Sequence, residues 1–373
     1  MPCPLCGSTE YLEVLNKPAI TIWNNAGDDG GFGKTYPCLL CQCRVCGHVY
    51  EPLSPTLKAM LSGIYQSDHA QAATTLGSGN WGLARAKRVL ENVNFRHYTS
   101  AVEIGCADGY ALRYLQRQGF TSLVGIDPSL SRSSTEDGIV FLKAFADENL
   151  TLERKYELII ALACFEHIED LHGVLRFCAN NLRADGELFF IVPDAEALLE
   201  RGDPSLFLHQ HVHHFTTSAL AYLLAKHRFR ILSSIRERDG TSMRVTIDRR
   251  DDPQRAPSNA VCLFNDYQRK VDAVVAKCRE TLRRRRVLVH GANAALNNVL
   301  GWLGEEAAFT LVDNDTAKQG KRYFNRMVHS LDDIALKDYD TVLIIPTTFL
   351  KDIQSDYLRR GYTGQIVGIV DGI

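Results

Sequence analysis

"TSAVEIGCADGYALRYLQRQG", residues 99–119, runs straight into "TSLVGIDPS", residues 121–129, once Phe120 is passed. "AVEIG" is an apolar run of strand length and "CADG" packs turn formers together. "YALRYLQRQG" spaces its apolar residues for one face of a helix and ends on glycine. The next apolar run ends on Asp127. Strand, glycine turn, helix, strand and acid form the first half of a doubly wound sheet, which holds a nucleoside at its carboxyl edge. In that arrangement Asp127 accepts hydrogen bonds from ribose hydroxyls. A dinucleotide turn needs G-x-G-x-x-G so that a pyrophosphate can approach a helix N-terminus. Here Glu103 precedes the first glycine, and Ala107 takes a position read as making no demand for glycine. Glu103 would repel a pyrophosphate and suits a cationic ligand.

Upstream, the cysteines are uneven. Six of the eleven fall at positions 3, 6, 38, 41, 43 and 46, and the rest (106, 164, 178, 262, 278) are scattered. Clustering of this kind in a large chain points to metal ligation plus reduced core thiols rather than a disulfide framework. "CPLCG" and "CRVCG" each set two thiols two residues apart before a glycine, the spacing of a zinc knuckle. Two knuckles make a closed four-thiolate site, so Cys3, Cys6, Cys43 and Cys46 are expected to hold a structural zinc. Cys38 and Cys41 share the spacing and compete for the role; the glycine after Cys46 favours the chosen four. "NAGDDGGFG" (25–33) reads as a loop, either a lid or inert. The organisation expected is a zinc-binding module over 1–53, a helical connector over 54–98, a central domain over 99–240 and a C-terminal α/β domain over 241–373.

The last of these repeats the central pattern. "RVLVHGANAALNNVLGWLG" (286–304) is strand, glycine turn and helix, and "AFTLVDND" (308–315) is a second strand reaching Asp313. "DTVLIIPTTF" and "GQIVGIVDG" add strands, and "QSDYLRRG" a helix. One early glycine without a triplet speaks against a dinucleotide there; a wall for the substrate or a plain scaffold are the two readings. "RETLRRRR" (279–286) is read as a helix end whose positive charge suits the dipole, with a phosphate clamp as its alternative.

The stretch "EIGCADG" resembles motif I of the class I S-adenosylmethionine-dependent methyltransferases. "KYELIIALACFEHIED" (155–170) is similar to that family's fourth strand and "EH" turn, and "NLRADGELFFIVPD" (181–194) to the helix-turn-strand that follows. The resemblance implies a Rossmann-like central sheet that binds S-adenosylmethionine. Gly105, Cys106 and Gly109 would approach the cofactor, Glu103 would sit under its methionine end and Asp127 would hold the ribose. Ala146 and Asp147 of "AFADEN" would flank adenine, and Ala163 and His167 would line the cofactor from the fourth strand. His167 reads equally well as a capping or packing residue. With its cysteine module and second Rossmann-like domain, the whole layout resembles the sugar C-methyltransferases of deoxysugar biosynthesis, which act on nucleotide-linked keto sugars.

That family carries Tyr-His-Glu-His after its fifth strand, where this chain has Leu208, His209, Gln210 and His211 in "LHQHVHHFTT" (208–217). The resemblance makes His211 the general base, with His209 and Gln210 beside it. Removing a proton next to a ketone suits a group of near-neutral pKa. If the segment is extended, His209, His211 and His213 share one face. His213 and His214 read as packing or capping residues, metal ligation by the cluster is the other reading, and Thr216 or Thr217 is expected to cap the next helix. Leu208 cannot polarise an enolate as tyrosine can, and Gln210 lacks the family's charge. O-methylation of a sugar or other small metabolite therefore stands as an alternative, as does a non-catalytic cofactor-binding scaffold.

Composition sets the outer limits. The 42 basic and 44 acidic side chains leave a net charge of −2, which offers no sustained basic surface for nucleic acid and argues against a methyltransferase that grips RNA. No apolar run would span a bilayer and no secretory h-region opens the chain, so a cytoplasmic protein with a small-molecule substrate, no nucleic acid and no membrane is expected. The sequence leaves the oligomeric state open.

Overall fold

The computed structural model describes residues 2–21, 35–65, 87, 97–237, 240–248, 263–284, 286–303, 307–316, 318–323 and 326–370. The loop expected at 25–33 and, within the expected helical connector, residues 66–86 and 88–96 lie outside the described residues. Residue contacts divide the chain into two units. The first comprises Met1–Tyr11, Cys43–Asp194 and Val212–Leu263, and the second Leu12–Gln42, Ala195–His211 and Phe264–Ile373.

Strands β1 (Tyr11–Thr21), β2 (Thr35–Cys43) and β3 (Val49–Tyr50) precede helix α1 (Pro55–Tyr65). Next come β4 (Ser100–Ile104), α2 (Tyr110–Arg117), β5 (Ser122–Ile126), β6 (Ser134–Glu136) and β7 (Ile139–Leu142). They are followed by β8 (Tyr156–Leu162), α3 (Leu171–Asn181), β9 (Leu182–Val192) and α4 (Ala195–Arg201). Then β10 (His213–His214), α5 (Thr217–Lys226), β11 (Phe229–Glu237) and β12 (Gly240–Ile247) lead to α6 (Tyr267–Leu282). The C-terminal part holds β13 (Val287–His290), α7 (Ala294–Leu303), β14 (Thr310–Val312), β15 (Arg322–Tyr323) and β16 (Arg326–His329). It ends with β17 (Thr341–Ile344), α8 (Leu350–Arg359) and β18 (Gln365–Gly368).

In the first unit eight strands run in the order β11-β12-β9-β8-β4-β5-β7-β6. The five from β9 to β7 are parallel, and β12, β11 and β6 pair antiparallel with their neighbours. All five residues of β4 are buried, as expected of a parallel strand covered on both faces. Helix α2 turns Ala111, Leu112 and Leu115 into a core shared with Phe120, Ile139, Leu158 and Phe189. Asp137 (φ 52) and Gly138 (φ 81) join β6 to β7, the Asp-Gly pair that a two-residue hairpin turn favours. The sheet order reverses between β4 and β8, since β5 and β7 extend one way and β9 the other. Doubly wound sheets bind ligands at the carboxyl ends of their strands at such a switch point.

The second unit holds a six-stranded sheet, β15-β16-β14-β13-β17-β18, in which only β15 is antiparallel. Leu288, Val312, Val342, Ile344 and Tyr357 fill its core. This order reverses between β13 and β17. The turn after β13 is tied down because Ala292 N–H donates to the Asp313 carboxylate at 2.8 Å. Lys318 Nζ donates to the same carboxylate at 3.3 Å and to the Ala292 carbonyl at 2.9 Å. The expected strands and helices appear as β13, α7, β14, β17, α8 and β18, whereas β15 and β16 were not anticipated. The arginine run ends α6 as expected, and Arg284 and Arg286 pair with Glu280 and Asp340.

Candidate active site and cysteine centre

Between β4 and α2 the backbone turns through three left-handed residues, Gly105 (φ 75), Ala107 (φ 47) and Gly109 (φ 75). A Cβ on Gly105 would fall 2.6 Å from Cys164 Sγ, and one on Gly109 would fall 2.5 Å from ring carbons of Phe141. Ala107 corrects the sequence reading, because its position does favour glycine. Holding an alanine there costs about 1–2 kcal/mol. Its N–H donates to Asp127 Oδ2 at 2.9 Å, and a hydrogen bond to a charged acceptor contributes about 1.5–3 kcal/mol. The acid at the end of β5 thus fixes the shape of the turn after β4.

Asp127 Oδ1 also accepts from the backbone N–H and the hydroxyl of Ser129, at 2.8 and 2.7 Å. A carboxylate offers about four acceptor positions, and Ala107 and Ser129 use three of them, so Asp127 could also accept from a ribose hydroxyl. Glu103, 3% exposed, stands in β4 between Gly125 and Ile160 of its neighbours. Its Oε2 has no hydrogen-bond partner among the described residues. Burial, with Asp127 and Asp108 adding repulsion, pushes its carboxyl well above the usual range. Buried carboxylates stay ionised only when paired. A crevice with this orphan oxygen and two neighbouring acids fits a cofactor that carries positive charge, as S-adenosylmethionine does on its sulfonium and ammonium groups.

Ala163 (φ 52), just past β8, is also left-handed, and its N–H donates to Ile191 at 3.0 Å. Phe165–His167 then form a short 3₁₀ turn. His167 is partly exposed, with Nε2 4.0 Å from Glu166 Oε1. The cap of α3 is Asp170, which accepts from Gly173 N at 2.9 Å, so His167 does not serve as one. Ala146 and Asp147 follow β7, half-buried, and Asp147 Oδ1 accepts from Asn149 N at 2.8 Å. Glu103 lies near the carboxyl end of β4, and Gly105, Cys106, Gly109, Asp127, Ala146, Asp147, Ala163 and His167 follow the carboxyl ends of β4, β5, β7 and β8, which are neighbours in one sheet. Cys164 belongs with them and was missed, because a lone thiol in an apolar run gives no local signal.

Cys3, Cys6, Cys43 and Cys46 bring their sulfurs within 4.8 Å of one another, with Cys3–Cys46 at 3.6 Å and Cys6–Cys43 at 3.4 Å. Four sulfurs about 2.3 Å from one zinc stand about 3.8 Å apart in a tetrahedron, so the group fits that ion. The knuckles match: Gly7 (φ 79) donates to Cys3 O at 2.9 Å and Gly47 (φ 76) to Cys43 O at 3.0 Å. The Cys3–Cys46 contact lowers the Cys3 thiol to about 6 and raises that of Cys46, as for two sulfurs that share one proton. Cys38 and Cys41 are not members of this group, and burial raises the Cys41 thiol to about 11.

The histidine segment departs from the extended form considered for it. His211 N–H donates back to Leu208 O at 2.8 Å, and this turn breaks the alternation that would have aligned His209, His211 and His213. His209 is buried and its Nε2 donates to Tyr36 O at 3.0 Å. Gln210 is buried and His211 half-buried. The preceding residues are anchored in the second unit. Asn298 Nδ2 donates to Phe207 O at 2.8 Å and to Pro204 O at 3.3 Å. The Tyr267 hydroxyl donates to Asp203 O at 3.0 Å, and the Phe207 ring packs on Tyr267 and Trp302. In the first unit, Thr216 caps α5 by accepting from Ala219 N at 3.2 Å.

Residues 71–234 match the family model of the methyltransferase domain. This domain is a class I S-adenosylmethionine-dependent methyltransferase. The chain bearing it resembles the sugar C-methyltransferases, and it is 26% identical over 246 residues to the C-methyltransferase NovU of Streptomyces niveus, a match covering 62% of this chain and 56% of that one. A ubiquinone biosynthesis O-methyltransferase of Aliivibrio fischeri is 24% identical over 115 residues, covering 28% and 49%. The chain thus spans about half the length of the curated relatives it matches. Outside the methyltransferase domain, residues 283–367 match the family described as C2185-like, N-terminal. Among solved structures, the 1,6-didemethyltoxoflavin-N1-methyltransferase of Burkholderia thailandensis is 16% identical, with a TM-score of 0.38 over 54% of this chain and 96% of that one. Among the described residues no helix is long and apolar enough to cross a membrane.

Proposed function

We propose that this protein transfers a methyl group from S-adenosylmethionine to carbon in a small molecule, a nucleotide-linked keto deoxysugar, with His211 as general base. The similarity to a C-methyltransferase over 246 residues carries the reading. When bound, S-adenosylmethionine supplies an electrophilic methyl group. Asp127 holds its ribose, Glu103 faces its positive charge, and the turn through Gly105 and Gly109 lets the backbone approach. Ala146 and Asp147 flank the adenine, while Ala163, His167 and Cys106 complete the lining. His211 takes the proton from the carbon beside the ketone, leaving the electron pair that forms the new carbon–carbon bond. His209 keeps its Nε2 proton on the Tyr36 carbonyl and orients the turn, as Gln210 does beside it. Cys3, Cys6, Cys43 and Cys46 hold a structural zinc. The reaction belongs to the cytoplasm and needs no nucleic acid.

O-methylation is the second reading, favoured by Leu208 and Gln210 where the sugar C-methyltransferases carry tyrosine and glutamate. A hydroxyl acceptor needs one base and no stabilised enolate. Transfer from S-adenosylmethionine with a carbon-13 methyl to nucleotide-linked keto and hydroxy sugars separates the two. A product signal in the aliphatic region of the carbon spectrum supports C-methylation, and one in the methoxy region supports the second reading. No transfer to any of them overturns both sugar assignments.

A further inference from the structure

His213 and His48 form a buried pair inside the first unit. His213 Nε2 lies 2.9 Å from the carbonyl of Ile168, and His213 Nδ1 lies 2.9 Å from His48 Nε2. A carbonyl only accepts, so His213 carries its proton on Nε2 and offers the Nδ1 lone pair. His48 must then donate from Nε2, which leaves its own Nδ1 without a proton, and that atom has no hydrogen-bond partner among the described residues. Tyr50 and Phe215 flank the His48 ring, each with its centroid 5.8 Å away. The two tautomers are thereby fixed and the hydrogen bonds point one way, from His48 through His213 to Ile168.

The ends of this chain are informative. His48 follows Gly47 of the second cysteine knuckle, and its carbonyl accepts from Cys43 N–H at 2.8 Å. Ile168 closes the Phe165–His167 turn, with its N–H on Phe165 O at 3.2 Å. That turn continues Ala163 and Cys164, whose sulfur fills the space against Gly105. The backbone supports the same link: β10 pairs with β3, His213 opposite Tyr50 and His214 opposite Val49. Thr216 Oγ1 also donates to Gly47 O at 3.3 Å.

We propose that His213, braced by His48, is a positioning residue that holds the 165–168 turn against the cofactor crevice, so that the cysteine module helps set cofactor affinity. It acts through the Ile168 carbonyl and touches neither cofactor nor substrate. The inference rests on the cofactor reading above.

Asparagine and glutamine separate the two ring nitrogens. His213→Gln reaches the Nε2 position and still donates to Ile168, while His213→Asn keeps an acceptor near Nδ1 and loses that donation. Calorimetric titration of the full metal-loaded chain with S-adenosylhomocysteine should give His213→Gln within about threefold of wild type. His213→Asn should bind about tenfold more weakly, in line with losing one buried hydrogen bond. A merely space-filling histidine would show no such rescue, so equal affinities for the two variants overturn the proposal. Should His213→Asn fail to fold, His48→Phe, which removes the brace, should weaken binding three- to tenfold, and wild-type affinity there overturns it. A wild-type chain that does not bind S-adenosylhomocysteine overturns the cofactor reading itself and this inference with it.

Discussion

Replacing Asn298 by leucine tests what the second unit contributes to the histidine turn. Asn298 is 1% exposed, and leucine keeps its branched side-chain shape without its donors. The Pro204 carbonyl also accepts from Phe207 N–H at 3.3 Å, so it keeps a partner when Asn298 is lost. The Phe207 carbonyl loses the shorter bond, 2.8 Å. Leaving one buried acceptor unsatisfied costs about 1–3 kcal/mol, so about 2 kcal/mol is expected, concentrated where Phe207 leads into Leu208. Because His211 N–H is held by Leu208 O, loosening Phe207 should ease opening of that bond. About 2 kcal/mol corresponds to roughly a thirtyfold change in the opening equilibrium. Hydrogen exchange resolved at His211 should accelerate by that factor, with methyl transfer falling and S-adenosylhomocysteine affinity unchanged. Unchanged exchange at His211 in a variant whose overall stability has dropped would refute the reasoning, because Asn298 would then support packing alone.

Other perturbations reach other parts of the protein. Gly105→Ala places a methyl 2.6 Å from Cys164 Sγ in a left-handed residue, so cofactor affinity should fall at least tenfold by calorimetry while the far-ultraviolet spectrum is retained. His211→Ala should abolish transfer of labelled methyl and leave cofactor affinity within twofold; retained turnover would remove His211 as the base. Cys43→Ser should lower bound zinc, read by elemental analysis, and lower the melting temperature by several degrees. Burial lowers His290 to about 4 from 6.5. A depressed histidine pKa means the unfolded chain takes up the proton first, so this stability is present above about pH 6.5 and is lost as pH falls towards 4. Between pH 7.5 and 5.5 the loss is about 1.3 kcal/mol, and urea unfolding of His290→Gln should lack that increment.

What could be read in the sequence follows from how local each cause is. The β4–α2–β5 unit was legible because buried parallel strands are continuous apolar runs and α2 writes its core face at helical spacing. The cysteine grouping was legible for a similar reason: each knuckle is a five-residue turn. Ala107 was misread because its left-handed backbone is maintained by Asp127, twenty residues on. The extended histidine face failed because the Leu208–His211 turn follows a segment anchored by Asn298, ninety residues away. His48 and His213 could not have been paired from the sequence, since 165 residues separate two rings whose contact depends on β3 meeting β10. The short strands β15 and β16 escaped because Arg322–Tyr323 and Arg326–His329 lack the continuous apolar run that marks the equally short β13 and β17.

Lys318 gives the second sheet a different character from the first. Both sheets fasten the turn after the strand at the switch point to an acid one strand over, Ala107 to Asp127 and Ala292 to Asp313. Among the described residues, the second supplies its own cation and the first does not, with Lys318 Nζ on Asp313 and on the Ala292 carbonyl. The ammonium is tethered at high local concentration, so an adenosine ligand would have to compete with it for Asp313 at an electrostatic disadvantage. Retention of the chain on an immobilised-adenosine resin would therefore report on the crevice beside β4 and β8, and competitive elution would titrate that crevice without interference from its structural echo.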